Sequence, residues 1–240
     1  KDTAGTVEKF YYNENVYRIS ESSHTYKEIM QTGLECIGDI SFDDVFEVTF
    51  LAAQSLGLIS NDFSLHVSHI ALVRALLDEY AVADEQKNDV INCIVDKNAG
   101  ALKQICDQKQ FDALCCLIKK YNTVNDSLLA LTKIVSSEES KKALFELENI
   151  CKMLENSGYK DNISIDFSTI STAGYYSGIV FKGYISGLSS RVLSGGQYDE
   201  LMRKMGRKNK AVGFAVYLDS LERLEEQESK DADQFINIAL

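Results

Sequence analysis

The apolar positions of this chain change their period twice. From Lys1 to about Ser68 they come in short clusters. Val7-Glu-Lys-Phe10-Tyr-Tyr and Asn15-Val-Tyr-Arg-Ile19 predict two short strands, because β-branched and aromatic residues gather there between turn formers. Ile29 to Ile37 alternates apolar and polar residues, which puts Gln31, Gly33 and Glu35 on one face of a strand. That face is polar where a core face would be apolar. Asp43 to Ser55 follows helical spacing, with Val45, Val48, Leu51 and Ala52 in one stripe, and Phe63 to Ser68 returns to strand character.

Between about His69 and Gly158 the pattern is helical. Leu72, Leu76 and Leu77, then Val90, Ile91, Ile94 and Val95, and later Leu144, Leu147, Ile150 and Leu154 recur at three- and four-residue spacing. From Tyr159 to about residue 225 strands return at Ile163–Phe167, Gly178–Ile185, Arg191–Ser194 and Ala211–Val216, with a helix expected over Tyr198–Met205. Residues 226–240 read as a charged tail. The expectation is an α+β fold: one core built from 1–68 and 159–225, whose sheet is interrupted in sequence by a helical insertion over 69–158.

Composition narrows the function. With 240 residues and 45% hydrophobic content the chain can bury a sizeable core. A net charge of −11 works against a nucleic-acid surface, since such affinity comes mainly from Lys and Arg neutralising phosphates. Cysteines 36, 93, 106, 115, 116 and 151 show neither C-x-x-C pairing nor a regular disulfide framework, so they read as reduced thiols of a cytoplasmic protein. No apolar run is long enough to span a bilayer, and no membrane role is expected. His66-x-x-His69 is half of a metal pattern without a third ligand, and His24 sits in a polar stretch, so no metal is expected. The basic run Lys204–Lys210 is short and reads as a solvated helix end.

Four segments carry candidate chemistry. Gln31-Thr-Gly-Leu-Glu35 offers an amide and a carboxylate on either side of a glycine, suited to an ammonium group or an imidazole. Ala173-Gly-Tyr-Tyr-Ser-Gly178 frames paired tyrosines, one of whose hydroxyls can reach a ligand while the other ring packs. Leu193-Ser-Gly-Gly-Gln-Tyr-Asp199 puts a double glycine at a strand end, where a tight turn is the plain reading. Ala211-Val-Gly-Phe-Ala-Val216 is a strand with an internal glycine, a sign of close backbone approach.

Their order is more informative than any one of them. Arg18, Gln-x-Gly-x-Glu at 31–35, Tyr-Tyr-x-Gly-x-Val-Phe at 175–181, Gly-Gly-x-Tyr-Asp at 195–199 and Ala-Val-Gly-Phe-Ala at 211–215 follow the motif order of the histidyl-tRNA synthetase catalytic domain. The chain resembles that family over most of its first and third blocks. The resemblance implies a class II aminoacyl-tRNA synthetase-like antiparallel sheet flanked by helices. It also implies a histidine pocket lined by Gln31, Glu35 and Tyr176, with Tyr175 and the Gly195-Gly196 pair beside it, and Arg18 as a phosphate contact.

The departures bear on activity. Adenylate formation needs cations on the phosphates, and arginine is the usual supplier. Where the synthetase pattern carries arginine, this chain has Ser171, Gln197 and Ser220, and Tyr217 replaces a glycine. Thr25 and Lys27 stand where further arginines are expected. A synthetase core that keeps its histidine groups and loses its phosphate cations is similar to the regulatory subunits of ATP phosphoribosyltransferase, and Ile179–Tyr184 and Leu193–Gly196 resemble that branch more closely. It implies a protein with no catalytic residues and no cofactor, partnered by the short-form catalytic subunit, with histidine as effector, self-association, and a place in the first step of histidine biosynthesis. The family's dimer-forming helix and strand are expected upstream of Lys1, and Phe235–Leu240 resembles the opening strand of the catalytic subunit. Two other readings stay open: a divergent or partial histidyl-tRNA synthetase domain, and a histidine-sensing interaction module.

Overall fold

The computed structural model describes residues 6–19, 25–170 and 175–221, without the side chains of Arg18 and Lys27. Strands β1 (Val7–Ile19) and β2 (Tyr26–Gly38) pair antiparallel along their whole length, with Val7 opposite Gly38 and Ile19 opposite Tyr26. The two short strands expected here are therefore one. Asn13-Glu-Asn15 has turn-forming side chains, but its backbone is held by β2, and Asn15 donates to Glu28 at 2.6 Å. A continuous ladder that satisfies the backbone outweighs the local preference.

Ser41 caps α1 (Phe42–Ile59) in a reciprocal capping box with Asp44, and the stripe Val45, Val48, Ala52 and Leu56 is buried. After β3 (Phe63–His69) come α2 (Ile70–Glu79), α3 (Asp84–Val95), α4 (Ala99–Ile105), α5 (Gln108–Leu114), α6 (Val124–Thr132) and α7 (Glu138–Leu154). Their apolar faces join the buried cluster that also holds the sheet residues Leu65, Val67 and Phe181. Glu79 ties α2 to the start of α7, accepting from the Ser137 N–H at 3.1 Å, the Ser140 hydroxyl at 2.7 Å and the Ser136 hydroxyl. Burial pushes its carboxyl up, but these donors outweigh burial and hold it at about 2.

The chain then adds β4 (Ile163–Ile165), β5 (Ile179–Ile185), β6 (Leu193–Gln197), α8 (Asp199–Lys204) and β7 (Lys210–Tyr217). The strand order is β1-β2-β7-β6-β5-β3-β4. The pairs are antiparallel except β3 with β4, which run parallel and so depart from a purely antiparallel sheet. The cause is the helical stretch between them, a crossover that returns the chain to the start of β3. One sheet face, with Phe181, Leu193 and Phe214 buried, packs on α1. The double glycine expected as a turn lies inside β6. All six cysteines are free thiols, three of them buried and three half-buried. Among the described residues no helix is long and apolar enough to cross a membrane.

Candidate functional site

Directly paired residues in an antiparallel sheet point to the same side. The registers therefore align Glu35, Gly213, Gly196 and Val180 in one row across β2, β7, β6 and β5. The next row is Gly33, Ala215, Ser194 and Lys182, and Gln31 lies opposite Tyr217 beyond it. This face is turned away from α1. The expected polar face of β2 is thus one edge of a wider polar floor.

At one end of that floor Glu35 accepts a short hydrogen bond from the Tyr198 hydroxyl. Burial pushes the Glu35 carboxyl up, and the Tyr198 bond offsets only part of this. Tyr198 sits just ahead of α8, its N–H bonded to the Ala211 carbonyl at 2.8 Å. Its ring stacks with Tyr175 (centroids 5.8 Å apart, planes at 28°), and Tyr175 meets Tyr176 edge-on at 4.9 Å. Tyr176 lies over Gly196, and its phenol is pushed up chiefly by burial. Two glycines make this packing feasible. A Cβ on Gly213 would fall 1.9 Å from the Glu35 carboxylate, and one on Gly196 (φ +153°) would fall 2.5 Å from the Ile179 carbonyl oxygen and 3.0 Å from the Tyr176 ring.

Gln31 is 7% exposed and donates its amide N–H to the Tyr12 hydroxyl at 3.2 Å. Its Oε1 is buried with no hydrogen-bond partner among the described residues. A buried acceptor without a donor is costly, and native structures leave few of them. Gln31 Oε1 and the Glu35 carboxyl are both acceptors, set beside three tyrosine rings. The arrangement suits a ligand that brings N–H donors and a flat ring.

The positions where the synthetase pattern has arginine or glycine are different. Gln197, where the synthetase pattern has arginine, accepts from the Ile179 N–H through Oε1 at 2.7 Å and packs against Gly178. Tyr217, where the pattern has glycine, shares a 2.5 Å hydrogen bond with the Ser194 hydroxyl. Asp219 accepts from the Met30 N–H at 2.8 Å, and Ser220 closes a short 3-10 turn. A cavity of about 520 Å³ opens between the tyrosine pair and Tyr217, bounded on one side by Asn92 and Val95 of α3.

Of the expected site residues, Gln31, Glu35, Tyr175, Tyr176 and Gly196 are brought together on the open face. Gly195 is not: it points to the packed face, where a Cβ would lie 2.5 Å from the Phe214 Cβ and 2.6 Å from the Phe181 ring. The two-residue alternation of a strand separates the glycine pair. Arg18 lies near the tip of the β1–β2 hairpin, its backbone opposite Lys27. Ser171, His24 and the 226–240 tail, including Phe235–Leu240, fall outside the described residues. His66 faces Asp166 at 3.4 Å and His69 faces Glu146 at 3.1 Å, on different partners, and the described residues contain no group of three or more metal-ligating side chains. Sequence reasoning missed Tyr198 and Tyr12 as partners of Glu35 and Gln31, and the α3 wall. Tyr198 had a usable signal, since it follows the double glycine by two residues from Gly196; the α3 contact had none.

Comparison with known proteins bears on the family and the fold. A family model described as histidyl-tRNA synthetase matches residues 3–221. The ATP phosphoribosyltransferase regulatory subunit of Alkaliphilus metalliredigens is 29% identical over 234 residues, covering 93% of this chain and 59% of that protein. The crystal structure of an ATP phosphoribosyltransferase regulatory subunit/histidyl-tRNA synthetase from Bacillus halodurans superimposes with a TM-score of 0.78 at 26% identity, covering 89% of this chain and 57% of the other. A chain of an ATP phosphoribosyl transferase complex from Thermotoga maritima shares the fold, with a TM-score of 0.71 at 22% identity over 89% of this chain and 74% of that one. The chain spans less than two thirds of the curated relative it matches. Motif order, sheet topology and a family match that covers nearly all described residues converge: the chain belongs to the histidyl-tRNA synthetase family and has its class II synthetase-like fold.

Proposed function

We propose that this chain is the synthetase-like core of a regulatory subunit of ATP phosphoribosyltransferase. In this reading it catalyses no reaction, uses no cofactor, and works in the cytoplasm by conveying histidine feedback to a short-form catalytic subunit. The observation that carries the reading is the state of the former phosphate side. Gln197 and Tyr217 are both tied into the fold by hydrogen bonds, so these positions hold no free cation for an α-phosphate. The names of the relatives point the same way, and the neighbour from Thermotoga maritima is described as part of an ATP phosphoribosyl transferase complex.

Histidine supplies what the Gln31–Glu35 pair lacks. Its ammonium and imidazole N–H groups are donors for Gln31 Oε1 and Glu35, and its ring is flat enough to lie against Tyr175 or Tyr176. Feedback further requires that histidine bind one state of the assembly better than the other, since equal affinity shifts nothing. The test is to mix the chain with a short-form catalytic subunit and follow phosphoribosyl transfer with and without histidine. Stimulation that histidine reverses is the expected result. The second reading, a divergent synthetase domain, draws on the dual description of the Bacillus halodurans neighbour. It predicts histidine-dependent ATP–pyrophosphate exchange, and exchange at synthetase-like rates would replace the regulatory reading.

A further inference from the structure

The cavity beside the tyrosine pair has a chemistry of its own. Its lining includes Lys182 of β5 and Arg191 just ahead of β6, together with the Ser194 and Tyr217 hydroxyls. None of the described lining residues is acidic, in a chain that carries a net charge of −11. The four residues between Ile170 and Tyr175 are Ser-Thr-Ala-Gly in sequence, none of them acidic. Lys182 is half-buried, with its ammonium donating to the Ser168 carbonyl at 3.2 Å. Burial and then the nearby Arg191 charge lower its pKa, with Asp166 acting weakly in the other direction. Asp166 is itself taken up by Lys97 at 2.7 Å. The Arg191 guanidinium lies 5.9 Å over the Tyr217 ring, outside any ion pair found among the described residues. Two like charges share one pocket, and an anion between them relieves both their repulsion and the cost of burying Lys182.

Lys182, on β5, stands across the face from the Gln31–Glu35 pair on β2. The backbones of β2 and β5 are three strand spacings apart, about 14 Å. Between them lie Ser194 and Tyr217, the latter paired with Gln31. Neither cation stands at a position where the synthetase motifs carry their phosphate arginines. We propose that Lys182 and Arg191 form an anion subsite, which takes the phosphate or carboxylate group of a small molecule held against Tyr217. This inference does not depend on the regulatory reading.

Calorimetric titration of the full chain at fixed ionic strength tests it, with inorganic phosphate and malonate as separate probes. Saturable binding of at least one is expected, weakened roughly tenfold or more in both Lys182→Met and Arg191→Gln and recovered in Lys182→Arg. Arg191 is exposed, so its variant keeps the fold and gives a clean readout. Preference for phosphate identifies a phosphorylated ligand, and preference for malonate a carboxylate. Histidine affinity should move less than about twofold in Arg191→Gln. Absence of saturable binding by either anion, or equal binding by wild type and both variants, overturns the subsite. Anion binding that persists when histidine and the catalytic subunit have no effect would sink the regulatory reading alone.

Discussion

Two sets of polar side chains on the central strands of the sheet are handled in opposite ways. Around Glu35, polar atoms are buried and left short of partners: Gln31 Oε1 has none, and the Glu35 carboxyl is desolvated with the Tyr198 hydroxyl as its hydrogen-bond donor. Around Gln197 and Tyr217, the substituted side chains find partners inside the protein. An unmet hydrogen-bonding need marks a surface that expects a ligand. In the proposed reading, a met one at a position where a relative's pattern has a catalytic cation marks chemistry that has been built over. The contrast is informative because both sets sit on the same paired strands, β2, β7 and β6.

The largest expected effect separates the two sets through binding. Glu35→Gln keeps the shape and removes the charge that would meet an ammonium or imidazole N–H. Loss of a charge-assisted bond should cost about 2–3 kcal/mol of histidine affinity, roughly 30- to 150-fold. Titration calorimetry with histidine measures it, and an unchanged affinity would remove Glu35 from the pocket. The free protein should meanwhile become more stable at neutral pH, because a buried carboxylate is exchanged for a neutral amide.

The pH dependence sharpens the same point. The carboxyl of Glu35 is raised above its ordinary value of 4.5 by burial, so its contribution to stability is fully present below about 4.5 and is lost as pH rises through the raised value. Glu79 behaves in the opposite sense. Held at about 2, it stabilises above 4.5 and that contribution disappears as pH falls toward 2. Thermal melts across the acid range should therefore show Glu35→Gln gaining on wild type as pH rises, and Glu79→Gln losing ground, by about 1–3 kcal/mol at neutral pH. Parallel curves for all three proteins would contradict both assignments.

Much of this was legible before any coordinates. The alternation through Ile29–Ile37 put Gln31 and Glu35 on one face, and the order of motifs identified the family, because both rest on short-range spacing. The fused β1 strand was not legible, since Asn13 and Asn15 read as turn formers until β2 is known to pair with them. The fate of Gly195 was hidden for a related reason: two adjacent glycines look alike in sequence, and only the register with Phe214 assigns one to the core. The α3 wall of the cavity depends on how the insertion folds back on the sheet, and no local pattern encodes it.

Gln197→Ala removes the acceptor of the Ile179 N–H. A partly buried donor left unsatisfied should cost about 1–2 kcal/mol, seen as a drop of roughly 3–6 °C in melting temperature. Gln31 and Glu35 keep their own hydrogen bonds, so histidine affinity in the surviving folded protein should change little. Gln197→Arg is the more searching variant. It restores the cation of the synthetase pattern, and adenylation should still be absent, because Tyr217 continues to fill the glycine position. Recovery of ATP–pyrophosphate exchange from this one change would mean that the face is an active site lacking a single charge.

The smallest expected effect is Ser194→Ala. The Ser194–Tyr217 hydrogen bond joins neighbouring strands β6 and β7 and is half-buried, so its loss should cost about 0.5–1 kcal/mol. Melting temperature should fall by only a few degrees. What matters is where the Tyr217 ring then goes. Tyr217 is a partner to Ser194 and lies under the Arg191 guanidinium, so Ser194→Ala removes one of the contacts that position its ring. Histidine affinity should stay within about twofold of wild type, since Gln31 and Glu35 keep their own contacts. A large loss of histidine binding in Ser194→Ala would show instead that Tyr217 and the Gln31–Glu35 pair are one coupled site, with Tyr217 acting on Gln31 across the β2–β7 pair that sets them opposite each other.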